Sequence, residues 1–194
     1  MVEPNKTWKH SQVTRFEKSF PIKRNFADAL FDWAGKFART GLIAHDPTGW
    51  TGSLSYRHAL GFVITGQPAN SEKLTDRDLI FVEKWDFETG RLTVRGEGDP
   101  PDTSFLHALI YQNRSGAIFA FHVCNPEMEK AAVRLGLPAI DGDFSAGDPT
   151  LMRQFEGKLG MGNLIVIRGL GIFSFGCTPE DAGEPLMAID RKMF

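Results

Sequence analysis

Two residues of this sequence suit metal or nucleophile chemistry, and they stand two positions apart in the segment His122-Val-Cys124. Residues i and i+2 of a β-strand point to the same side, so this spacing brings an imidazole and a thiol within reach of one metal ion. A catalytic zinc usually has three protein ligands, however. The two residues alone favour a buried core histidine beside a small cysteine. A Cys–His nucleophile is disfavoured because adjacent positions on one strand face rarely give an in-line geometry.

The sequence contains 20 glycines, so phosphate-binding loops are the next patterns to test. Gly169-Leu-Gly171 lacks the third glycine and the long following helix of a dinucleotide fingerprint, and no Gly-Lys-Ser/Thr P-loop occurs. We interpret Gly169 and Gly171 as a tight connection between two core strands.

The His122–Cys124 pair lies at the end of Ala117–Cys124, a nearly continuous apolar run that is typical of a strand covered on both faces. Before it, Asp102 or Thr103 is placed to cap a helix through Phe105 and Ile110. After it, Pro126 suits the first turn of a helix that ends at Gly136.

The rest of the chain alternates helices with hairpin-linked strands. Asn25 can cap a first core helix that stops at Gly41. Two hairpins are predicted, Leu79–Trp85 with Arg91–Arg95 and Asn163–Ile167 with Gly171–Phe175, and Thr75–Asp78 forms a helical turn. A last helix starts at Thr178 and is cut off by Gly183 and Pro185 within about a turn. The pattern predicts an α/β sandwich with a mixed sheet between helical layers.

The chain has 194 residues, 42% hydrophobic and 24% charged, as expected for one globular domain. A net charge of −2 argues against a protein devoted to binding nucleic acid or coating membranes. Residues 1–24 carry six basic and two acidic residues, a net of +4 that leaves −6 for residues 25–194. We therefore expect a basic N-terminal arm, residues 1–24, before a single domain, residues 25–194. Two cysteines and no secretory signal predict a cytoplasmic protein.

Seven motifs, in this order and spacing, resemble the class II aldolase/adducin family, to which fuculose-phosphate aldolase belongs. They are Gly52-Ser-Leu-Ser-Tyr-Arg57, Ile64-Thr65, Lys73-Leu-Thr-Asp-Arg-Asp-Leu79, Pro100-Pro-Asp-Thr103, His107-Ala-Leu-Ile-Tyr111, Ala120-Phe-His-Val-Cys124 and Gly171-Ile-Phe-Ser-Phe-Gly-Cys-Thr-Pro-Glu-Asp-Ala182. The resemblance implies a three-layer α/β/α fold, often a fourfold tetramer with active sites between subunits. It also implies a zinc ion on three histidines that polarises an enediolate, and a glutamate that moves the proton.

The residues of that machinery are altered here. His122 stands at the first metal position, Cys124 replaces the second histidine, and Leu170 stands where the third would be. The ligand set for zinc or another divalent metal is thus incomplete. Thr103 replaces the catalytic glutamate, and Asp102 beside it is either a substitute base or a helix-capping carboxylate.

The phosphate-binding residues that the resemblance implies are altered as well. The motifs place Gly52, Ser53, Thr65 and Gln67 at the ligand, with Arg168 as a cation two residues before Leu170. Asp102 occupies a serine position of the phosphate site, where a carboxylate would repel a phosphate. A sugar phosphate is therefore disfavoured as substrate.

Three functions remain open at this point. The first is an aldolase-like protein without standard aldolase activity that binds a small polar or carboxylic ligand, or a partner, in the altered cleft. The second is a metal-dependent lyase or epimerase with a rebuilt site of His122, Cys124 and a third ligand, with Asp102 as base. The third is a non-enzymatic assembly module like the adducin head domain, in which the basic arm with Trp8 docks another subunit. A homo-oligomer is expected in each case.

Overall fold

In the computed structural model, helices cover both faces of one mixed sheet. The structure describes residues 12–17, 19–43, 45–46, 49–66 and 73–191. Within these ranges the elements run in the order β1 (Gln12–Glu17), α1 (Arg24–Thr40), β2 (His45–Asp46), β3 (Gly49–Trp50), β4 (Gly52–His58), β5 (Gly61–Thr65), a 3-10 helix (Asp76–Asp78), β6 (Leu79–Asp86), β7 (Arg91–Arg95), α2 (Ser104–Asn113), β8 (Phe119–Val123), α3 (Pro126–Arg134), β9 (Ala139–Ile140), α4 (Pro149–Lys158), β10 (Leu164–Ile167), β11 (Gly171–Gly176) and α5 (Pro179–Arg191).

Strands β2 and β3 pair as a separate two-stranded sheet. The main sheet of the described residues has nine strands in the order β1-β7-β6-β5-β4-β8-β11-β10-β9. Only its two edge pairs, β1 with β7 and β9 with β10, are parallel. Both predicted hairpins are present, since β6 pairs antiparallel with β7 and β10 with β11. Strand β8 lies in the middle, where His122 is opposite Ser53 of β4 and Phe173 of β11. The predicted α/β/α sandwich with a mixed sheet is confirmed.

Alternate residues of β8 face the two helical layers. Phe119, Phe121 and Val123 pack into a core with α1, α3 and α5. Ala120 packs on the other side, in a core with α2 and α4. His122 follows the phase of Ala120 and stacks on Phe173 at 4.4 Å between ring centroids. The central histidine therefore lies on the α2 side of the sheet.

The last helix was predicted to be much too short. Helix α5 continues through Pro185 to Arg191 and buries Ala182, Leu186 and Ile189 along one stripe. Gly183 is a packing position, because a Cβ there would lie 2.3 Å from the ring of Trp33 on α1. Burial of this stripe outweighs the hydrogen bond that a proline removes.

The start of the first helix also differs from the prediction. Asn25 lies inside α1, whose N-cap is Lys23 and has no side-chain cap bond. The Lys23 amide instead donates to the Tyr56 hydroxyl at 3.3 Å, so a tertiary contact fixes this end. At the other end, Gly41 adopts the left-handed conformation predicted for it, with φ +73°.

The predicted arm contains a strand that the sequence analysis missed. Gln12–Glu17 forms β1 at the edge of the sheet, and the Arg15 guanidinium donates to the carbonyls of Gly96 and Gly98. Among the residues that the structure describes, none of the helices has the length and hydrophobicity needed to cross a membrane.

Candidate functional site

A cleft of about 360 Å³ opens where β8 ends and α2 begins. It gathers five of the residues predicted from the sequence, Gly52, Asp102, Thr103, His122 and Cys124. The loop before β11 closes one side of it with Leu170, at the position of the missing third histidine. The same loop and the loop before α4 add three lining residues that argument from the sequence missed. These are Ser145, Ala146 and Gly169.

Gly52 is required at the bottom of this cleft by the close approach of neighbouring atoms. A Cβ at this position would lie 2.8 Å from the His122 carbonyl oxygen and 3.1 Å from the Ile43 side chain. Because real Cβ atoms do not approach backbone that closely, a larger residue would push β4 away from β8.

His122 is held by the backbone of the loop opposite it. Its Nε2 lies 2.7 Å from the Leu170 carbonyl oxygen. A carbonyl only accepts, so Nε2 carries the proton and donates it. The other ring nitrogen, Nδ1, lies 3.5 Å from Ser53 Oγ. Burial lowers the pKa of His122 to about 4, and the bond to Leu170 opposes that shift only in part. The imidazole is therefore neutral at pH 7.

The loop that carries Leu170 is itself fixed from two sides. The carboxylate of Glu129 on α3, which is buried, accepts the Gly169 N–H at 2.9 Å. Arg168 forms an ion pair with Asp141 across the loop before α4. Gly171 follows with φ +121°, and a Cβ there would lie 2.7 Å from His122 Nε2. The carbonyl of Leu170 is thus positioned by groups outside the cleft.

Beneath the cleft, a chain of buried polar groups joins β4 to α2. Ser53 Oγ lies 3.0 Å from Thr103 Oγ1 and 2.9 Å from His107 Nε2. Ser55 Oγ lies 2.7 Å from His107 Nδ1 and 2.7 Å from the Tyr111 hydroxyl. Burial, and then the nearby His122, keep the pKa of His107 well below its usual value. Every nitrogen of this buried imidazole therefore has a hydroxyl partner.

The same strand face holds the far end of α2 through Arg57. Its guanidinium donates to the carbonyls of Tyr111, Arg114 and Ala117 at 2.7 to 2.8 Å. Ser53, Ser55 and Arg57 are alternate residues of β4, and His107 and Tyr111 are one turn apart on α2. The i, i+2 spacing on β4 and the i, i+4 spacing on α2 therefore place these side chains on the two faces that meet at this interface.

Asp102 and Thr103 lie at the start of α2, but neither side chain caps the helix. Thr103 is the N-cap by position, and its hydroxyl turns to Ser53 instead of a helix amide. The Asp102 carboxylate is exposed at the cleft and makes no cap bond in the described residues. The prediction that the Asp102 carboxylate caps the helix was wrong, because Thr103 occupies the N-cap position. The next residue, Ser104, donates its hydroxyl to the Pro101 carbonyl at 2.6 Å.

The remaining predicted ligand-binding residues do not line the cleft. Ser53 is fully buried below it. The Thr65 hydroxyl is also buried and accepts the Leu54 N–H at 3.0 Å, which fixes β5 to β4. Arg168 is exposed beside the cleft and paired with Asp141. Gln67 lies outside the described residues.

The residues present do not fit a three-ligand zinc site. Among the described residues, no three His, Cys, Asp or Glu side chains form a group that could hold a metal ion. Leu170 supplies no side-chain donor, and its carbonyl engages the Nε2 of His122. Cys124 is half-buried in the cleft and forms no disulfide.

Solved structures with the same fold include a putative aldolase/epimerase/decarboxylase, an aldolase and a class II aldolase domain. YgbL from Klebsiella pneumoniae is 11% identical, with a TM-score of 0.69 over 90% of this chain and 89% of that one. L-fuculose-1-phosphate aldolase from Thermus thermophilus is 20% identical, with a TM-score of 0.64 over 88% and 91%. The N-terminal class II aldolase domain of a conserved protein from Thermoplasma acidophilum is 16% identical, with a TM-score of 0.59 over 92% and 95%.

A search of curated proteins gives no match. The family model described as "Class II Aldolase and Adducin N-terminal domain" matches residues 29–193, nearly the whole region from α1 to the end of the chain. The resemblance inferred from the motifs is confirmed, and the chain belongs to the class II aldolase and adducin N-terminal domain family.

Proposed function

We propose that this protein binds a small, non-phosphorylated polar ligand in the cleft between β8 and α2, without the tri-histidine zinc chemistry of its family. The single observation that carries the proposal is the 2.7 Å bond from His122 Nε2 to the Leu170 carbonyl. Leu170 stands where the motifs place a third metal-binding histidine. A nitrogen that donates a proton to a carbonyl has no lone pair for a metal, and the unprotonated Nδ1 lies 3.5 Å from Oγ of the fully buried Ser53.

The position of Thr103 supports the same proposal. Its hydroxyl replaces the carboxylate that would move a proton, and it is bonded to Ser53 rather than directed at a reacting group. A hydroxyl has no useful basicity at neutral pH without an activating base. The imidazole of His107, which contacts the same Ser53 hydroxyl, has both nitrogens hydrogen-bonded to serines.

The charge of the cleft defines the class of ligand. Asp102 contributes an exposed carboxylate to the cleft, and the nearest loop cation, Arg168, is already paired with Asp141. The other polar side chains lining the cleft are uncharged, namely those of Thr51, Thr103, His122, Cys124 and Ser145. Such a surface favours hydroxyl or amine groups that donate to Asp102, and it disfavours phosphate.

A binding screen on the purified full chain tests this proposal. The panel contains neutral polyols, amino sugars, small carboxylic acids and sugar phosphates, and thermal shift followed by calorimetry measures affinity. We expect a hit among the non-phosphorylated compounds that weakens about tenfold in Asp102→Asn. Asp32→Asn is the matched control, since Asp32 is exposed on α1 across the sheet. Turnover of a sugar phosphate at an ordinary enzyme rate would overturn the proposal.

A metal-dependent lyase or epimerase with a rebuilt site is the second candidate. One observation favours it, namely that His122, Cys124 and Asp102 all line the same cleft. It requires His122 Nε2 to leave the Leu170 carbonyl and the ring proton to move from Nε2 to Nδ1. Elemental analysis of untagged protein decides between the two candidates. One equivalent of metal that is lost in His122→Ala supports the rebuilt site, and equal low metal content in both proteins excludes it.

A further inference from the structure

A second cavity, whose lining residues are all different from those of the cleft, is a groove with a volume of about 720 Å³. It runs along α5, beside the segments that lead into β9 and β10. Leu137, Pro138, Met161 and Ala188 form its apolar floor and wall. Met161 is 62% exposed and lies next to the other apolar residues of the lining. The groove thus offers apolar surface that the described part of the chain leaves uncovered.

The rim of this groove is acidic. Glu180, Asp181 and Glu184 of α5 line it, and Arg191 is its one cation among the described residues. Arg191 is paired with Glu184 at 3.1 Å, so it does not neutralise the other two carboxylates. An occupant that matches this groove has a large apolar side chain with lysine or arginine on either side.

The segment before β1 has this composition. Trp8 lies between Lys6 and Lys9, with Glu3 as the only acidic residue in the first eleven. Tryptophan is among the side chains that most often anchor a protein interface. The sequence before β1 therefore offers both the apolar anchor and the flanking positive charge that the groove requires.

The position of β1 shows whether this segment can reach the groove of its own chain or only that of another chain. Gln12 is fixed at the edge of the sheet, where its N–H donates to the Gly90 carbonyl at 2.9 Å. Trp8 is four residues earlier in the sequence, and four residues of fully extended chain span at most about 14 Å from Gln12. The groove lies at β10, seven strands away across the sheet. At about 4.8 Å per strand the separation is about 34 Å, beyond the reach of Trp8 within one chain.

We propose that the segment around Trp8 docks into the α5 groove of a second copy of this chain, with Trp8 on the apolar floor and Lys9 beside Glu180. Each copy carries one arm and one groove, so two copies that exchange arms reciprocally form a closed dimer. The proposal is independent of the ligand in the cleft.

Sedimentation velocity of the full chain from about 1 to 100 μM tests the arm exchange. The wild type is expected to exceed the monomer mass, and Trp8→Ala and Glu180→Lys are each expected to weaken self-association about tenfold or more. Lys9→Glu should weaken it as well. The double variant Lys9→Glu/Glu180→Lys restores the opposite charges, and its association should return to within about threefold of wild type.

Glu156→Lys is the control, because it makes the same charge change at an exposed position of α4 on the other side of the sheet. Circular dichroism verifies that each variant is folded. A wild-type chain that is monomeric throughout the range overturns the proposal. An oligomer that persists unchanged in both Trp8→Ala and Glu180→Lys overturns it too, since a different surface then holds the copies together.

Discussion

The β4–α2 interface has a buried end, at His107 and Tyr111, and an open end at the cleft. The two ends differ in how closely their residues match the family motifs. Under α2, the strand motif from Gly52 to Arg57 matches the family pattern closely, and Ser55 and Arg57 bond to helix groups. At the cleft, Thr103 and Leu170 replace the residues that would carry a charge or a metal. The comparison teaches that part of a family motif serves packing, since that part is present here beside a cleft whose side chains depart from the family pattern.

The largest expected effect is at the buried end of this interface. His107→Ala removes an imidazole that two serine hydroxyls contact, and it leaves both a cavity and unpaired hydroxyls. We expect the free energy of unfolding to fall by about 3–4 kcal/mol. Urea denaturation followed by tryptophan fluorescence measures it.

His122→Ala sharpens the same comparison because His122 lines the cleft, where water can replace the lost group. A smaller loss of about 2 kcal/mol is expected there. If His122→Ala proved as costly as His107→Ala, the cleft histidine would be a core residue like its neighbour, and the contrast between the two ends would disappear.

Acid should destabilise both ends, since both histidines are buried and neutral. Burial lowers the pKa of His122 to about 4, so the unfolded chain binds more protons than the folded one below its ordinary value near 6.5. The stabilisation is fully present above pH 6.5 and is lost as the pH falls toward 4. Between pH 7.5 and 5.0, His122 alone should cost about 2 kcal/mol, measured by urea denaturation at each pH.

His107 shifts stability in the same direction as His122, because its pKa is also lowered by burial. His122→Gln removes one of the two titrating groups, so its stability should depend less steeply on pH than that of the wild type. Identical slopes in the two proteins would show that His122 is already protonatable in the folded state.

The parts of the fold that depend on local pattern could be predicted from the sequence. The hairpin of β6 and β7 and the strand β8 have β-branched or aromatic residues between clear turn signals. Strand β1 could not be predicted, because Gln12–Glu17 has little apolar content and is fixed by pairing with β7 and by Arg15. The predicted length of α5 was wrong because Gly183 and Pro185 are typical helix-ending residues. In the structure, packing against Trp33 allows the helix to continue past both.

The sequence could predict which side chains belong to the candidate site, but not the backbone contacts that hold them. The family resemblance assigned Asp102, Thr103, His122 and Cys124 to one site, and all four line one cleft. The motifs could not reveal that the Leu170 backbone holds His122, since a carbonyl is present at every residue and only its position matters. Glu129 escaped notice for a similar reason, because its partner is a backbone amide.

Glu129 allows a test of how firmly the altered end of the interface is held. Glu129→Ala removes the acceptor for the Gly169 N–H and should lower the free energy of unfolding by about 1–1.5 kcal/mol. Hydrogen exchange at Gly169 and Gly171 should become faster in the same variant. Glu129→Gln retains an acceptor oxygen and should stay within about 0.5 kcal/mol of wild type. Equal exchange rates in all three proteins would mean that Glu129 does not position the loop.

Asp102 is expected to show the smallest effect on stability and a clear effect on binding. Its carboxylate is exposed and makes no cap bond, so Asp102→Ser should change the free energy of unfolding by less than about 0.5 kcal/mol. The same change removes a negative charge beside the start of α2, where the helix dipole favours anions. Affinity for inorganic phosphate, followed by NMR titration, should rise about fivefold. Asp32→Ser on α1 should leave phosphate binding unchanged. If Asp102→Ser behaved like that control, the bias against phosphate would come from the shape of the cleft and not from this carboxylate.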